Sequence, residues 1–397
     1  MFEFERLKND VLFWLASLKF SERHYRYKFS ANADDTIFCT CFALFILDLF
    51  KETEKFTHEE RQDWISYIQS FQNNEHGYFE PERYYHEDKE RNCYQLTCFC
   101  LSALGILGAE PRFPLTFVEQ WETPGDVKKY LYERGCNEGK PGSGNKAMFL
   151  AIFLTYEYER TREKQLLDKI NTWFEFHDET QNDSGFWGRG KSSHFFLGVQ
   201  NGFHQLLVYF YWRRRVNKLD RIVDTILDIQ DNQGFFSPVP GGWPCYDYDA
   251  IHILVNAYKL VDYRRLEIEK GLERAFHAVF GSQNCDGGFS HSKLKPRDIL
   301  CPIKTCPFYF SGTNPWTWYF RIRRSVALVL RNETTVFTGW TGKSRKCDES
   351  NLWDTWFRSL SLAEIANAIQ LGDEFDLAET YFHKMIGLGF SRCQQAE

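Results

Sequence analysis

The sequence predicts an all-α protein built from helical hairpins, and three observations support this fold class. A short turn pattern recurs along the chain: a glutamine, a few small polar residues, a glycine and then an aromatic residue. The segments between these turns alternate between almost wholly apolar stretches and amphipathic stretches of helical period. No stretch of useful length shows the period-two alternation that indicates a half-buried strand.

The recurring turn has four copies, which are Gln72–Tyr78, Gln181–Trp187, Gln230–Phe236 and Gln283–Phe289. Their glycines at positions 185, 234 and 287 follow one another at intervals of 49 and 53 residues. Two helices and two short connections need about that length. A repeat of this period indicates that one supersecondary unit is stacked several times.

The segments between the turns predict six mostly apolar helices that alternate with six or seven amphipathic ones. The amphipathic segments are expected over about 4–20, 59–71, 118–133, 163–176, 219–229 and 266–280. The apolar helices are expected over about 37–50, 92–108, 145–158, 194–212, 244–261 and 351–369. A further, closing helix is expected near 375–386. Helices that are apolar all round are buried on all sides, whereas their partners keep one wet face. Six such hairpins close naturally into an inner ring within an outer ring. We therefore expect an (α/α)6 toroid, as a single domain over 1–397 with an insertion at about 291–318.

Composition and charge exclude several classes of function. The net charge of −6 gives no basic field for nucleic acid. The first residues lack the basic-then-apolar order of a signal peptide, and the most apolar run, from Ile37 to Phe50, is short and contains Asp48. The twelve cysteines then indicate reduced thiols. We expect a cytoplasmic protein without a transmembrane segment, for which peripheral membrane contact stays open.

The repeated turns resemble those of the terpene cyclase and protein prenyltransferase superfamily. Squalene-type cyclases carry a Gln-…-Gly-x-Trp motif, to which Gln181–Trp187 is the closest match here, while Gln283–Phe289 resembles the prenyltransferase-type repeat. The resemblance covers most of the chain and implies the toroid. It does not imply a particular reaction, because function resides in sites and not in folds.

A second resemblance lies just before the first apolar helix. Asn32-Ala33-Asp34-Asp35-Thr36 is similar to the Asp-x-Asp-Asp-Thr motif of class II terpene cyclases, which begin catalysis by protonating an alkene or epoxide. The match implies that Asp34 donates the proton and that Asp35 is its neighbour. A proton donor must be a neutral acid, which desolvation and a nearby carboxylate favour. Asn32 replaces the first aspartate of the motif, and either aspartate could instead cap the helix.

Polar residues also collect near the N-terminal ends of the apolar helices. Asp249 and His252 form one stripe and are candidate catalytic residues; Tyr94, Asn201, His204 and Asp354 are candidate substrate-binding residues. In a toroid with parallel inner helices these ends converge on one mouth of a central cavity, the default place for a site. Helix capping and satisfied buried hydrogen bonds are the alternative interpretation.

Aromatic residues make up 17% of the chain. Trp187, Trp243, Trp353 and Trp356 lie in turns or at the openings of inner helices, where their rings could line the cavity mouth. Ring faces stabilise a carbocation by cation–π attraction, by roughly 0.5–2 kcal/mol per contact. The same rings could stack on a sugar, or simply pack the core.

These observations leave three hypotheses open. The first is a class II terpene cyclase-like enzyme that cyclises or isomerises an isoprenoid. The second is a carbohydrate-active toroid, a lyase, a hydrolase or a polysaccharide biosynthesis enzyme, that uses Asp249, His252 and His204. The third is a non-catalytic toroid that binds a partner through the insertion, Lys293 to Trp318.

No cofactor is expected, although a diphosphate substrate would bring magnesium with it. The Asp-x-Cys element with which protein prenyltransferases hold zinc does not occur, and no phosphate-binding glycine loop is present. Cys301 and Cys306 with His291 could be zinc ligands, but their spacing matches no strong zinc signature. The expected partner is a small molecule, either an isoprenoid or a glycan.

Overall fold

A computed structural model of the chain describes residues 4–20, 23–84, 87–293, 302–331, 335–336, 339–341 and 345–371. This part of the chain is mainly helical. Its α-helices are α1 (Phe4–Ser17), α2 (Ile37–Leu49), α3 (His58–Gln69), α4 (Lys89–Ile106), α5 (Pro124–Glu133), α6 (Ser143–Thr161), α7 (Lys164–Thr180), α8 (Phe196–Tyr211), α9 (Leu219–Ile229), α10 (Pro244–Leu260), α11 (Arg265–Phe280), α12 (Pro302–Tyr309), α13 (Pro315–Arg331) and α14 (Leu352–Ile369).

Strands are a minor part of the described fold. They form two short antiparallel pairs, β1 (Lys19–Phe20) with β2 (Arg23–Tyr27) and β3 (Thr335–Val336) with β4 (Arg345–Lys346). Single 3-10 turns cover Glu52–Lys55, Thr116–Gln120 and Lys191–His194. The prediction of an all-α protein is therefore confirmed.

The predicted alternation of buried and half-buried helices is present. Within the described residues, α2, α4, α6, α8, α10 and α14 bury most of their circumference. The helices between them bury one face; in α11 that face consists of Ile268, Gly271, Leu272, Ala275, Phe276 and Val279. Apolar composition thus identified the inner helices correctly.

One predicted helix is divided in the structure. The segment from Val118 to Glu133 consists of the 3-10 turn that ends at Gln120 and the separate helix α5. Thr123 caps α5 through a capping box with Asp126, and Pro124 occupies its first turn. A proline at this position starts a helix instead of continuing one, which explains the break.

The described residues form two compact units. In the unit that contains residues up to Lys51 and residues from Ile222 onward, α14 packs against α2, α10 and α11. In the unit from Glu52 to Arg221, α6 packs against α4, α7 and α8. The single domain over 1–397 stays a prediction.

The four repeated turns share one hydrogen bond. In each copy the glutamine Nε2 donates to the carbonyl of the repeat glycine, at 2.7 Å for Gln72, 2.6 Å for Gln181, 3.0 Å for Gln230 and 2.8 Å for Gln283. In the first three copies the same Nε2 also donates to a later carbonyl, of Phe113, Asn217 or Gly271. The glutamine therefore closes its own turn and ties it to a later segment.

All four repeat glycines have positive φ, and Gly77, Gly234 and Gly287 lie against backbone. Their φ angles are +81° for Gly77, +85° for Gly185, +109° for Gly234 and +95° for Gly287. A β-carbon at Gly234 would lie 2.5 Å from the carbonyl oxygen of Arg274 in α11. A β-carbon at Gly287 would lie 2.2 Å from the carbonyl oxygen of Asp10 in α1. Only glycine fits both the angle and the space.

The last repeated turn therefore packs against the first helix of the chain. The ring of Phe4 lies 5.8 Å from that of Phe276, so α1 also contacts α11. Trp14 of α1 lies beside Gly288, where an added β-carbon would approach its ring to 2.6 Å. Helix α1 therefore packs against the Gln283 turn in the same way that α11 packs against the Gln230 turn.

The predicted insertion includes α12 and α13, and the boundary expected near residue 318 falls inside α13. Asp228 of α9 anchors it, because its carboxylate accepts hydrogen bonds from Thr313 N at 2.6 Å, Asn314 N at 3.2 Å and Thr317 Oγ1 at 2.9 Å. In the described residues, no helix has the length and apolar character needed to cross a bilayer. The closing helix expected near 375–386 lies outside the described residues.

Candidate active site

Asp34 and Asp35 lie in the loop that leads into α2. Asp34 is half-buried, and its backbone carbonyl accepts a hydrogen bond from Phe29 N at 3.0 Å. The Asp35 carboxylate is ion-paired with the Arg26 guanidinium. The N-cap of α2 is Thr36, whose side chain makes no capping hydrogen bond. The roles predicted for Asp34 and Asp35 stay predictions.

Asp249 occupies a different environment, inside α10. Its side chain is 3% exposed, and its carboxyl makes no hydrogen bond to any described residue. Burial in an apolar environment raises the pKa of Asp249 well above its usual range, and the nearby Asp247 carboxylate raises the pKa further. These conditions favour a neutral carboxylic acid at physiological pH.

The neighbouring Asp247 is held by a dense set of partners. Its carboxylate accepts hydrogen bonds from Phe236 N and Trp243 N, both at 2.8 Å. It also forms an ion pair with Arg358 of α14 at 2.8 Å, and both side chains are 1% exposed. A buried carboxylate needs such partners. Burial raises the pKa of Asp247, and Arg358 and the two backbone N–H groups oppose that rise by stabilising the charged form.

His252 belongs to a buried polar group between α10 and α14. Its Nδ1 lies 3.0 Å from Glu364 Oε2, and Tyr248 Oη donates to Glu364 Oε1 at 2.7 Å. Tyr248 Oη also lies 3.3 Å from His252 Nδ1. This group fixes the orientation of the imidazole one turn after Asp249.

Asp354 opens α14 near the same end of α10. Asn351 caps the helix by accepting from Asp354 N at 3.0 Å and donates to Asp354 Oδ2 at 2.5 Å. His291 Nδ1 lies 3.8 Å from Asp354 Oδ1, and the His291 ring lies 4.4 Å from that of Trp243. Burial, followed by the charges of Asp249, Asp354 and Asp247, raises the pKa of the Cys245 thiol well above its usual range. The structure therefore gathers these acidic groups around Cys245.

The four candidate tryptophans divide into two pairs. Trp243 and Trp353 are half-buried. Trp187 and Trp356 are 2% and 1% exposed. Trp187 donates from Nε1 to His177 O at 2.7 Å and stacks on Tyr209, and the Trp356 ring lies 4.9 Å from that of Phe45. The second pair is surrounded by core residues.

Asn201 and His204, both on α8, lie in the other unit. Asn201 Nδ2 donates to Lys140 O at 3.1 Å, and its Oδ1 accepts from Gly144 N at 3.4 Å. His204 Nδ1 lies 2.8 Å from Gln200 O, and its Nε2 lies 2.7 Å from Asn145 Nδ2. Burial lowers the pKa of His204 to about 4. The ring is therefore neutral, with its proton on Nδ1.

Tyr94 of α4 is the remaining predicted binding residue. Its hydroxyl accepts a hydrogen bond from Gln120 Nε2 at 3.0 Å, and burial raises its pKa to about 12. Its ring lies 5.4 Å from those of Phe117 and Phe153. The tyrosine is thus part of an aromatic cluster.

Sequence reasoning missed several residues of this site. Asp247 and Glu364 were not selected, although Asp247 belongs to the same Tyr-Asp-Tyr-Asp run as Asp249. His291 was considered only as a zinc ligand with Cys301 and Cys306. Glu364 carried a signal of its own, since an acidic residue inside a mostly apolar helix requires a buried partner. In the described residues, no group of three or more His, Cys, Asp and Glu side chains is arranged to hold a metal. Cys301 lies outside the described residues.

Buried inner helices, half-buried partners and Gln–Gly turns define the α/α-toroid class of proteins. The sequence model of the prenyltransferase alpha-alpha toroid domain matches residues 5–139 and 146–296, so the chain belongs to this family and has this fold. No curated protein matches the chain.

A solved structure is similar over nearly the whole chain. It is a variant of MstE, a type II terpene cyclase from Scytonema, in complex with geranylgeranyl dihydroxybenzoate as substrate. The TM-score is 0.51 at 14% sequence identity, and the match covers 92% of this chain and 97% of that one. The fold of this protein is therefore similar to the toroid of a type II terpene cyclase.

Proposed function

We propose that this protein is an enzyme that starts the cyclisation or isomerisation of an isoprenoid by donating a proton, and that Asp249 is the donor. One observation carries the proposal: Asp249 is a buried carboxyl without a hydrogen-bond partner among the described residues. Burial and the nearby Asp247 both raise its pKa, which favours the protonated form that a general acid requires.

The proposed reaction needs no proton donor or acceptor other than Asp249. The π electrons of an alkene form a C–H bond with the Asp249 proton, which leaves a carbocation on the substrate and a carboxylate on the protein. An acid of raised pKa is weak, but a cation formed a few ångströms from the new carboxylate is attracted strongly in a water-poor site. Loss of a proton from the cation to the carboxylate completes the reaction and regenerates Asp249.

The residues around Asp249 have supporting roles in this proposal. The half-buried indoles of Trp243 and Trp353 offer ring faces to a carbocation. His252, held by Glu364, positions α10 against α14 and does not itself carry the proton. Asp247 is fixed by Arg358 and disfavours permanent ionisation of Asp249.

The substrate class rests on the comparison. MstE is described with geranylgeranyl dihydroxybenzoate as its substrate, which supports a linear isoprenoid chain as substrate here. The sequence motif makes Asp34 the second candidate donor. The half-buried position of Asp34, beside an Asp35 that is paired with Arg26, supports it less than the environment of Asp249 does.

The test is to incubate the protein in D2O buffer with geranylgeranyl dihydroxybenzoate and with 2,3-oxidosqualene, and to analyse products by mass spectrometry. Proton-initiated reaction places one deuterium from solvent in the product. We expect Asp249→Asn to reduce product formation by at least about a thousandfold, since a neutral amide cannot donate the proton. Asp34→Asn and the exposed control Asp262→Asn should keep most of the activity.

Each other outcome is informative. Loss of activity in Asp34→Asn with retention in Asp249→Asn would transfer the role of donor to Asp34. A product without deuterium would exclude proton initiation. Absence of product from both substrates, with cleavage of an oligosaccharide instead, would favour the carbohydrate-active hypothesis. The burial of Trp187 and Trp356 speaks against that hypothesis, because sugar-binding rings need open faces.

A further inference from the structure

A second polar cluster lies at the N-terminus of α6, in the unit from Glu52 to Arg221. Gly142 is the N-cap of this 19-residue helix, and it provides no side-chain cap. Arg91 of α4 lies close to this cap, with its Nη1 3.7 Å from the place of a β-carbon on Gly142. A guanidinium thus faces the positive end of a helix dipole, where an arginine is electrostatically unfavourable unless an anion joins them.

The carboxylates nearby have other partners. Asp88, the closest acidic group, forms an ion pair with Lys146 at 3.1 Å, and accepts from the backbone N of Arg91 at 3.0 Å. Glu90 pairs with Arg134, and Glu138 pairs with Lys140. Among the described residues, no hydrogen bond is made by the Arg91 guanidinium. Two cationic side chains, those of Arg91 and Lys146, therefore share the single carboxylate of Asp88.

One buried polar atom at this helix end lacks a partner within the described structure. Ser143, the first residue of α6, is 2% exposed, and its Oγ has no hydrogen bond. A buried hydroxyl without a hydrogen-bond partner costs about 1–3 kcal/mol, so the Ser143 Oγ indicates a missing partner at this helix end.

Asn145, two residues after Ser143 on α6, is held by His204. Its Nδ2 donates to the unprotonated Nε2 of His204, whose other nitrogen donates to Gln200 O. His204 therefore fixes the Asn145 amide and adds no charge.

We infer that Arg91, Ser143 and the N-terminus of α6 form a binding site for an oxyanion, a phosphate or a carboxylate carried by a small molecule. The guanidinium and the helix dipole supply positive charge, and the Ser143 hydroxyl supplies a donor. The inference is independent of the identity of the proton donor, because all of its residues differ from those proposed above.

The test is isothermal titration of the whole protein with inorganic diphosphate and, separately, with benzoate, at low and at high ionic strength. We expect one ligand to bind at a single site and to weaken as salt increases. Diphosphate preference would identify a phosphate-bearing ligand, and benzoate preference a carboxylate-bearing one. Arg91→Gln should weaken binding by at least about tenfold, since it removes a charge-assisted hydrogen bond.

Two further variants keep the test decisive. Arg112→Gln removes the same charge from an exposed position and should bind like the original protein. Ser143→Ala removes only the unpaired hydroxyl, leaves a good helix former and should weaken binding about threefold. The inference is overturned if neither anion binds, if Arg112→Gln weakens binding as much as Arg91→Gln, or if Arg91→Gln and Ser143→Ala both bind unchanged.

Discussion

The buried carboxyl of Asp231, in the Gln230 turn, makes the stability of the protein depend on pH. Its Oδ1 accepts three backbone hydrogen bonds, from Gln233 and Gly234 at 2.8 Å and from Phe235 at 2.9 Å. Burial nevertheless raises the pKa of Asp231 from 3.8 to about 6. The folded state therefore holds this proton more tightly than the unfolded state does.

This shift predicts that the contribution of Asp231 to stability is present at low pH and is lost as pH rises. Between about pH 4 and pH 6 the folded protein binds more protons than the unfolded chain, so the free energy of unfolding falls with pH. The shift of about two units corresponds to about 3 kcal/mol. Urea unfolding at intervals from pH 4 to pH 7 measures the slope.

Asp231→Asn is the matched variant, because its Oδ1 still accepts from the three backbone groups and carries no charge. We expect it to be more stable than the original protein at pH 7 and to lack this part of the slope. An unchanged pH dependence in Asp231→Asn would assign the slope to other carboxyl groups.

The candidate site residues show what the sequence can and cannot predict about single residues. A motif of five consecutive residues selected Asp34, while the environment of Asp249 depends on Arg358 and Asp247 together. Glu364, the partner of His252, is 112 positions away in the sequence. The pKa of a carboxyl group depends on such distant neighbours, so a single sequence identifies polar inner-helix positions without ranking them.

At the scale of elements, the repeat glycines predict a contrast between two substitutions. Gly234→Ala places a β-carbon 2.5 Å from Arg274 O, so α11 must move, and we expect a loss of more than about 3 kcal/mol in the free energy of unfolding. Gly108→Ala has a similar positive φ of +72° but open space around it, and should cost only about 1 kcal/mol. Chemical denaturation of both variants tests the contrast, and equal losses would show that φ alone matters.

The alternating inner and outer helices could be predicted well, whereas the break before α5 and the helices α12 and α13 of the insertion could not. Other errors lie at helix ends. Helix α4 begins at Lys89 and not near residue 92, because Asp88 caps it by accepting from Arg91 N. Apolar periodicity detects a buried face, whereas caps depend on individual polar side chains outside that face. The twelve predicted helices that fall on described residues follow the contrast between inner and outer positions, a signal that extends over many residues.

At the scale of the whole molecule, the burial of the cysteines predicts which thiols a reagent can reach in the folded protein. Six of the ten cysteines in the described residues are buried, at 39, 41, 93, 98, 100 and 136. Among these ten, Cys285 and Cys306 are exposed. We expect brief alkylation of the native protein to label these two well before the six buried ones, as peptide mass spectrometry can establish. Early labelling of Cys98 or Cys100 would contradict the packing of α4.

The contact between Asp10 and Gly287 has a consequence for synthesis on the ribosome. The turn against which α1 packs is made 277 residues after it. At translation rates of about 5–20 residues per second, α1 waits on the order of tens of seconds for that partner. During this interval its apolar face, which includes Leu7, Val11 and Trp14, is without the Gln283 turn. Nascent chains of this protein should therefore depend on a chaperone that shields their N-terminal helix until the last turn has emerged.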